Sequence, residues 1–164
     1  MGIKFSARLL WFKRRDFLFI LMWGIFLGII VSEVYWVGYQ EIRWLKVYKV
    51  PYGWYETPNP KPLDLILVLI VSVIFGALLS EVRVVLSGYL FGLLLAFLVG
   101  FAFVIFYMWR VLQLEYLFTW SDFNWEWAVF FAILNVGKIM FPYVVLLSLL
   151  GVVLGMVLRE LLGY

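Results

Sequence analysis

LDLILVLIVSVIFGALLSEVRVVLSGYLFGLLLAFLVGFAFVIFYMW, residues 63–109, is apolar almost without a break; only Asp64, Glu81 and Arg83 are charged. As one helix it would be about 70 Å long at 1.5 Å per residue, more than twice the ~30 Å of a bilayer's hydrocarbon core. Two crossings joined by a tight turn fit better. The turn falls either at Glu81–Arg83 or at Ser87-Gly88, and the spans are set at 63–80 and 87–109.

Moving towards the N-terminus, Thr57-Pro58-Asn59-Pro60-Lys61-Pro62 stops any helix from entering this region from upstream. Alternating prolines remove backbone donors and hold their neighbours extended. Residues 40–62 are therefore an extramembrane segment, with room for a short helix at its start. Before it, 17–39 is a first span, with Trp36 and Tyr39 as its interfacial belt. Residues 1–15 carry Lys4, Arg8, Lys13, Arg14 and Arg15 and no acid, and Phe5, Leu9 and Phe12 share one helical face. That pattern predicts a basic amphipathic helix lying in the headgroup layer.

Moving towards the C-terminus, 110–127 is a second extramembrane segment, acidic and aromatic, with Glu115, Asp122 and Glu126 among Tyr116, Trp120, Trp125 and Trp127. The apolar run that follows is too long for one straight crossing. Gly137 and Pro142 fall inside it, so 123–138 reads as an interfacial or re-entrant helix and 139–159 as the fourth span. The predicted fold is all-α: a polytopic membrane protein with a four-transmembrane-helix bundle.

Composition agrees. The 164 residues are 66% hydrophobic and 21% aromatic, against about 45–50% apolar in soluble domains. A chain this small has too much surface for its volume to bury that much apolar area in one core, which leaves lipid as its solvent. There is no Cys and no His, which excludes disulfides, the usual zinc sites and His-based acid–base chemistry. No cofactor and no metal is expected, and the net charge of +3 gives no reason to expect nucleic acid as a partner. Gln and Asn are limited to Gln40, Gln113, Asn59, Asn124 and Asn135, a scarcity that fits a thermophilic, archaeal source. The basic N-terminus, Arg83 and Arg159 share one side of a four-crossing topology, so both termini are expected to be cytoplasmic in the cell membrane, against the basic residues Arg43, Lys46, Lys49 and Lys61 of the first long segment.

One pattern recurs in every span. Small residues stand four apart at Gly24 and Gly28, at Ser72 and Gly76, at Gly88, Gly92, Ala96 and Gly100, and at Gly151 and Gly155. Residues four apart share a helix face, and a face without bulk lets a neighbouring backbone approach closely. Gly28-Ile-Ile-Val-Ser32-Glu33-Val34 also echoes Gly76-Ala-Leu-Leu-Ser80-Glu81-Val82, although the surrounding segments do not align.

Three side chains are candidates for an ion or substrate path. Glu33 is a carboxylate within a span, where ionisable groups are costly and often functional; one turn from Trp36, it also reaches towards the interface. Asn135 and Lys138 flank Gly137 at the suspected break, where a broken helix can line a binding site, or Lys138 simply snorkels to the headgroups. No nucleophile, phosphate-loop or metalloprotease motif is present. The expected function is a small non-catalytic membrane subunit or scaffold that packs through its small-residue faces. The expected partners are membrane lipid and either other membrane subunits or a homo-oligomer. A small homo-oligomeric transporter or channel is the alternative. A membrane enzyme acting on lipid-linked substrates, through Asp122 and Glu126, is the second alternative.

Overall fold

The computed structural model describes residues 14–42, 47–49, 58–79, 82–113 and 124–162, and these are helical with no strand. The elements are α1 (Arg14–Glu41), α2 (Pro62–Leu78), α3 (Val82–Phe106), α4 (Asn124–Ile139) and α5 (Val145–Leu161). A π-helical turn, Tyr107–Val111, extends α3, and another, Met140–Val144, joins α4 to α5. Three stretches are long and apolar enough to cross a membrane: 15–41, 84–111 and 125–161; α2 is a shorter apolar helix. The protein is a multi-pass helical membrane bundle.

Several expected boundaries move. The α2–α3 turn is not at Ser87-Gly88, because α2 ends at Leu78 and α3 already begins at Val82 and carries Ser87 and Gly88 inside it. α1 starts at Arg14 and runs to Glu41, so the last basic residues of the N-terminal segment belong to the first crossing; residues 1–13 lie outside the described residues. The break in the last third is not at Gly137, which sits inside α4 with Lys138 in its last turn. It is at Phe141, whose φ −107° and ψ 131° are extended. Pro142 causes it: the proline ring clashes with a helical conformation at the residue before it. Ile139 therefore closes α4, and the final helix starts at Val145 instead of 139.

The order of contacts gives the topology. Phe17 meets Phe91, Gly24 meets Gly92, Gly28 meets Ala96 and Val99, and Gln40 bonds Tyr107, so α1 and α3 are parallel. Gly151 lies on Leu69 and Ser72, Gly155 on Val73 and Ala77, and Arg159 donates to the Leu79 carbonyl, so α2 and α5 are also parallel. The pairs oppose each other, since Glu41 reaches Lys61 at one level and Trp23 reaches Phe75 at another. Arg15, Leu79 and Arg159 therefore mark a first end of the bundle. Glu41, Lys61 and Tyr107 mark the second. α4 leads inwards from the second end, and Val136 and Val31 both meet Gly100 near mid-bundle.

The two pairs are joined at one node. The Trp23 indole Nε1–H donates to Ser72 Oγ at 3.2 Å and its ring stacks on Phe75 at 4.3 Å. Tyr89, 5.6 Å from Trp23 by ring centroid, donates its hydroxyl to the Val145 carbonyl at 2.8 Å. Ser148 Oγ lies 3.3 Å from the same hydroxyl. Four crossings thus contribute to a buried patch in which aromatic area and hydrogen bonds act together.

Candidate functional site

The small-residue faces are occupied by the chain itself. A Cβ on Gly24 would stand 2.8 Å from the Gly92 carbonyl oxygen, one on Gly76 2.3 Å from that of Val152, and one on Gly155 2.1 Å from that of Val73. Gly88 faces Ile20, Gly92 the Trp23 ring, Gly100 both Val31 and Val136, and Gly151 the α2 backbone beside Ser72. Ala96 is fully buried in the same seam as Gly28. These grooves build the bundle, and an outside partner would have to meet the large side chains of the outer surface.

On that outer surface Glu33 stands out. α1 exposes Met22, Phe26, Ile29 and Trp36, and Glu33 falls in the same i, i+3/i+4 register. It lies about 12 Å from Glu41 along the helix at 1.5 Å per residue, inside the apolar span. It makes no hydrogen bond or ion pair among the described residues. On one side it lines a polar pocket of about 340 Å³ with Glu41, Asn59, Lys61 and Asp64. On the other it borders an apolar groove of about 530 Å³ between α1 and α3, lined by Ile29, Trp36, Val99 and Phe103.

Apart from Glu33, the charged side chains of this pocket are satisfied within the chain. Pro62 opens α2 at the position where a missing N–H costs nothing. Asp64, buried in the first turn, accepts a hydrogen bond from the Lys61 backbone N–H at 2.8 Å, which suits a carboxylate at a helix N-terminus. Lys61 Nζ donates to Glu41 Oε1 at 2.5 Å, and this hydrogen bond holds the ammonium above its ordinary pKa range. Deeper in, Tyr35, Tyr39 and Tyr107 form a buried aromatic cluster with ring centroids 5.3–6.3 Å apart, and Gln40 Nε2 donates to the Tyr107 hydroxyl at 3.1 Å.

The three candidate path residues are not brought together. Asn135 is fully buried and donates back to the Phe131 carbonyl of its own helix. Lys138 is exposed, and it too makes no hydrogen bond or ion pair among the described residues. Glu33 and Lys138 look outwards from different helices. Of the carboxylates considered for catalysis, Asp122 lies outside the described residues and Glu126 is exposed in the first turn of α4. The node residues Trp23, Tyr89 and Ser148 drew no notice in the sequence. The available signal was a Trp in mid-span instead of at the interface.

No family model matches the chain, and neither a curated protein nor a solved structure matches it.

Proposed function

We propose that this chain is a non-catalytic subunit of a larger assembly in the cell membrane, with both termini cytoplasmic. The observation that carries the reading is Glu33: a carboxylate on an outward-facing apolar stripe, without a hydrogen bond or ion pair among the described residues. A charge at the centre of a span costs about 2.5–3.5 kcal/mol even on insertion-based scales, and Glu33, about 12 Å in from Glu41, bears part of that cost. A cation from outside the chain offsets that cost, and another membrane component is the natural source. The orientation is supported by Arg14, Arg15 and Arg159, which gather at the first end beyond a basic N-terminus.

The test is gentle extraction from native membranes followed by native mass spectrometry. A species heavier than the 19.3 kDa monomer is expected, with the excess lost in Glu33→Gln. A lone monomer, with nothing attached after cross-linking in the membrane, would remove this reading.

One observation favours a second reading, a small homo-oligomeric transporter: Glu33 stands where a pocket lined by Glu41, Asn59, Lys61 and Asp64 meets an apolar groove. Flux into proteoliposomes that falls with Glu33→Gln would support it, and unchanged flux would count against it.

A further inference from the structure

We propose that the cation meeting Glu33 is Lys138 of a second copy of this chain, so that identical subunits join through a Glu33–Lys138 pair. The proposal rests on reading Glu33 as a contact to a partner, and adds what that partner is.

Three observations carry it. First, both side chains are exposed on apolar helices and neither has a hydrogen bond or ion pair among the described residues. They are opposite charges, each lacking what the other offers.

Second, their depths match. Val31 and Val136 both meet Gly100 and so share one level. Glu33 lies about 3 Å from Val31 towards the second end, and Lys138 about 3 Å from Val136 in the opposite sense, at 1.5 Å per residue. Helical side chains lean towards the N-terminus of their helix. For Lys138 on α4 that is the second end, which swings its ammonium back to the Glu33 level. Val31 itself is about 15 Å along α1 from Glu41 by the same rise, too deep for a lysine stem to reach water easily at that end.

Third, both groups turn away from the bundle's interior. At about 100° per residue, Glu33 is about 200° round α1 from Val31, and Lys138 about 200° round α4 from Val136, the two valines that meet Gly100 of α3. Each is therefore open to a neighbouring copy, and a closed assembly is the arrangement that leaves neither charge facing lipid. The apolar groove of Ile29, Trp36, Val99 and Phe103 beside Glu33 then receives the outer face of the neighbour's α4, where Ile133 is exposed, with Phe141 exposed in the turn that follows it.

The chain has no native cysteine, so disulfide trapping in native membranes is clean. Differently tagged copies carrying Glu33→Cys and Lys138→Cys are expected to cross-link to each other. Copies carrying Glu33→Cys and Leu154→Cys, whose second position lies on another exposed face, are not. Glu33→Lys or Lys138→Glu alone should lower the oligomer fraction at least about tenfold, the loss expected when one charge of a buried pair is reversed. The double swap should restore it. Glu33→Gln and Lys138→Gln give the same readout if a reversal prevents folding. Failure of the double swap to restore the oligomer, or cross-links at the control position only, would overturn the pairing. A different subunit released by Glu33→Gln, with no self cross-link, overturns the pairing and leaves the subunit reading intact. A lone monomer overturns both.

Discussion

The α1/α3 and α2/α5 pairs are both parallel, both seamed by small residues four apart, and built to different tolerances. In the α2/α5 seam the glycines face backbone. Cβ atoms on Gly76 and Gly155 would fall 2.3 and 2.1 Å from carbonyl oxygens. In the α1/α3 seam most glycines face side chains: Gly88 meets the end of Ile20, Gly28 meets Val99 and Gly92 meets the Trp23 ring. Gly24 comes against the Gly92 carbonyl at 2.8 Å, and Gly28 also lies 3.1 Å from the Ala96 carbonyl, so backbone contacts there are fewer and longer. Backbone has nowhere to go in a rigid helix, whereas a side chain can change rotamer. One sequence motif thus produces a contact that admits no extra carbon and a contact that can partly repack.

The largest expected effect is in the tighter seam. Gly155→Ala or Gly76→Ala should cost about 3 kcal/mol or more, at or beyond the usual range for overpacking, because separating the helices forfeits dispersion contacts along the whole seam. Unfolding by steric trapping in mild detergent checks this. If both variants are as stable as the parent, the seam is looser than its geometry states. Gly88→Ala in the other pair should cost about 1–2 kcal/mol. Combining it with Ile20→Val, which removes the terminal methyl in contact, should return part of that loss. A double-mutant cycle reads the coupling, and strictly additive costs would refute the claim that side-chain adjustment distinguishes the two seams.

Gly137 is the control outside both seams. A Cβ there would meet nothing within 4 Å, and the residue is inside α4. Gly137→Ala should stabilise by about 0.5–1 kcal/mol, the helix-propensity difference between the two residues. A loss in melting temperature would mean that some contact on this face, not spacing in the bundle, governs glycine here.

Much of this contrast is invisible in the sequence, and the reason is specific. Apolar length and prolines are local properties, so the number of helices, the loop before Pro62 and the use of Gly24, Gly28, Gly76, Gly151 and Gly155 as close-packing positions can be read directly. Which helix fills which groove is a property of two distant segments. Nothing at Gly76 announces Val152 as its neighbour, or tells whether the neighbour belongs to the same chain. The break in the last third shows the same limit: Gly137 and Pro142 both weaken helices, but helix propensity is a small term that neighbours override, whereas the steric exclusion at Phe141 is not negotiable. Glu33 and Lys138 were noticeable as charges among apolar residues. Their outward outlooks and common depth come only from knowing that Val31 and Val136 both meet Gly100.

The smallest expected effect probes what couples the two pairs. Ser72 belongs to the α2 seam by its size, yet its hydroxyl accepts the Trp23 indole N–H from the other pair. Ser72→Ala keeps the Cβ that Gly151 packs against and removes only the oxygen. The seam is therefore untouched and the bridge is lost. Interhelical hydrogen bonds in a membrane protein average about 0.6 kcal/mol by double-mutant cycle, and a loss of that order is expected here. Trp23 keeps its stacking on Phe75, which has ring planes 8° apart, so the aromatic part of the node should survive. Tryptophan fluorescence resolves the two contributions only in part, since nine Trp residues emit together. The cleaner readout is the coupling between Ser72→Ala and Gly88→Ala. If the pairs are independent bodies held by the node, weakening the node should leave the cost of Gly88→Ala unchanged. If that cost falls when the bridge is absent, the Trp23–Ser72 bond is what holds α1 against α3 at the spacing Gly88 requires, and the two seams are one mechanical unit.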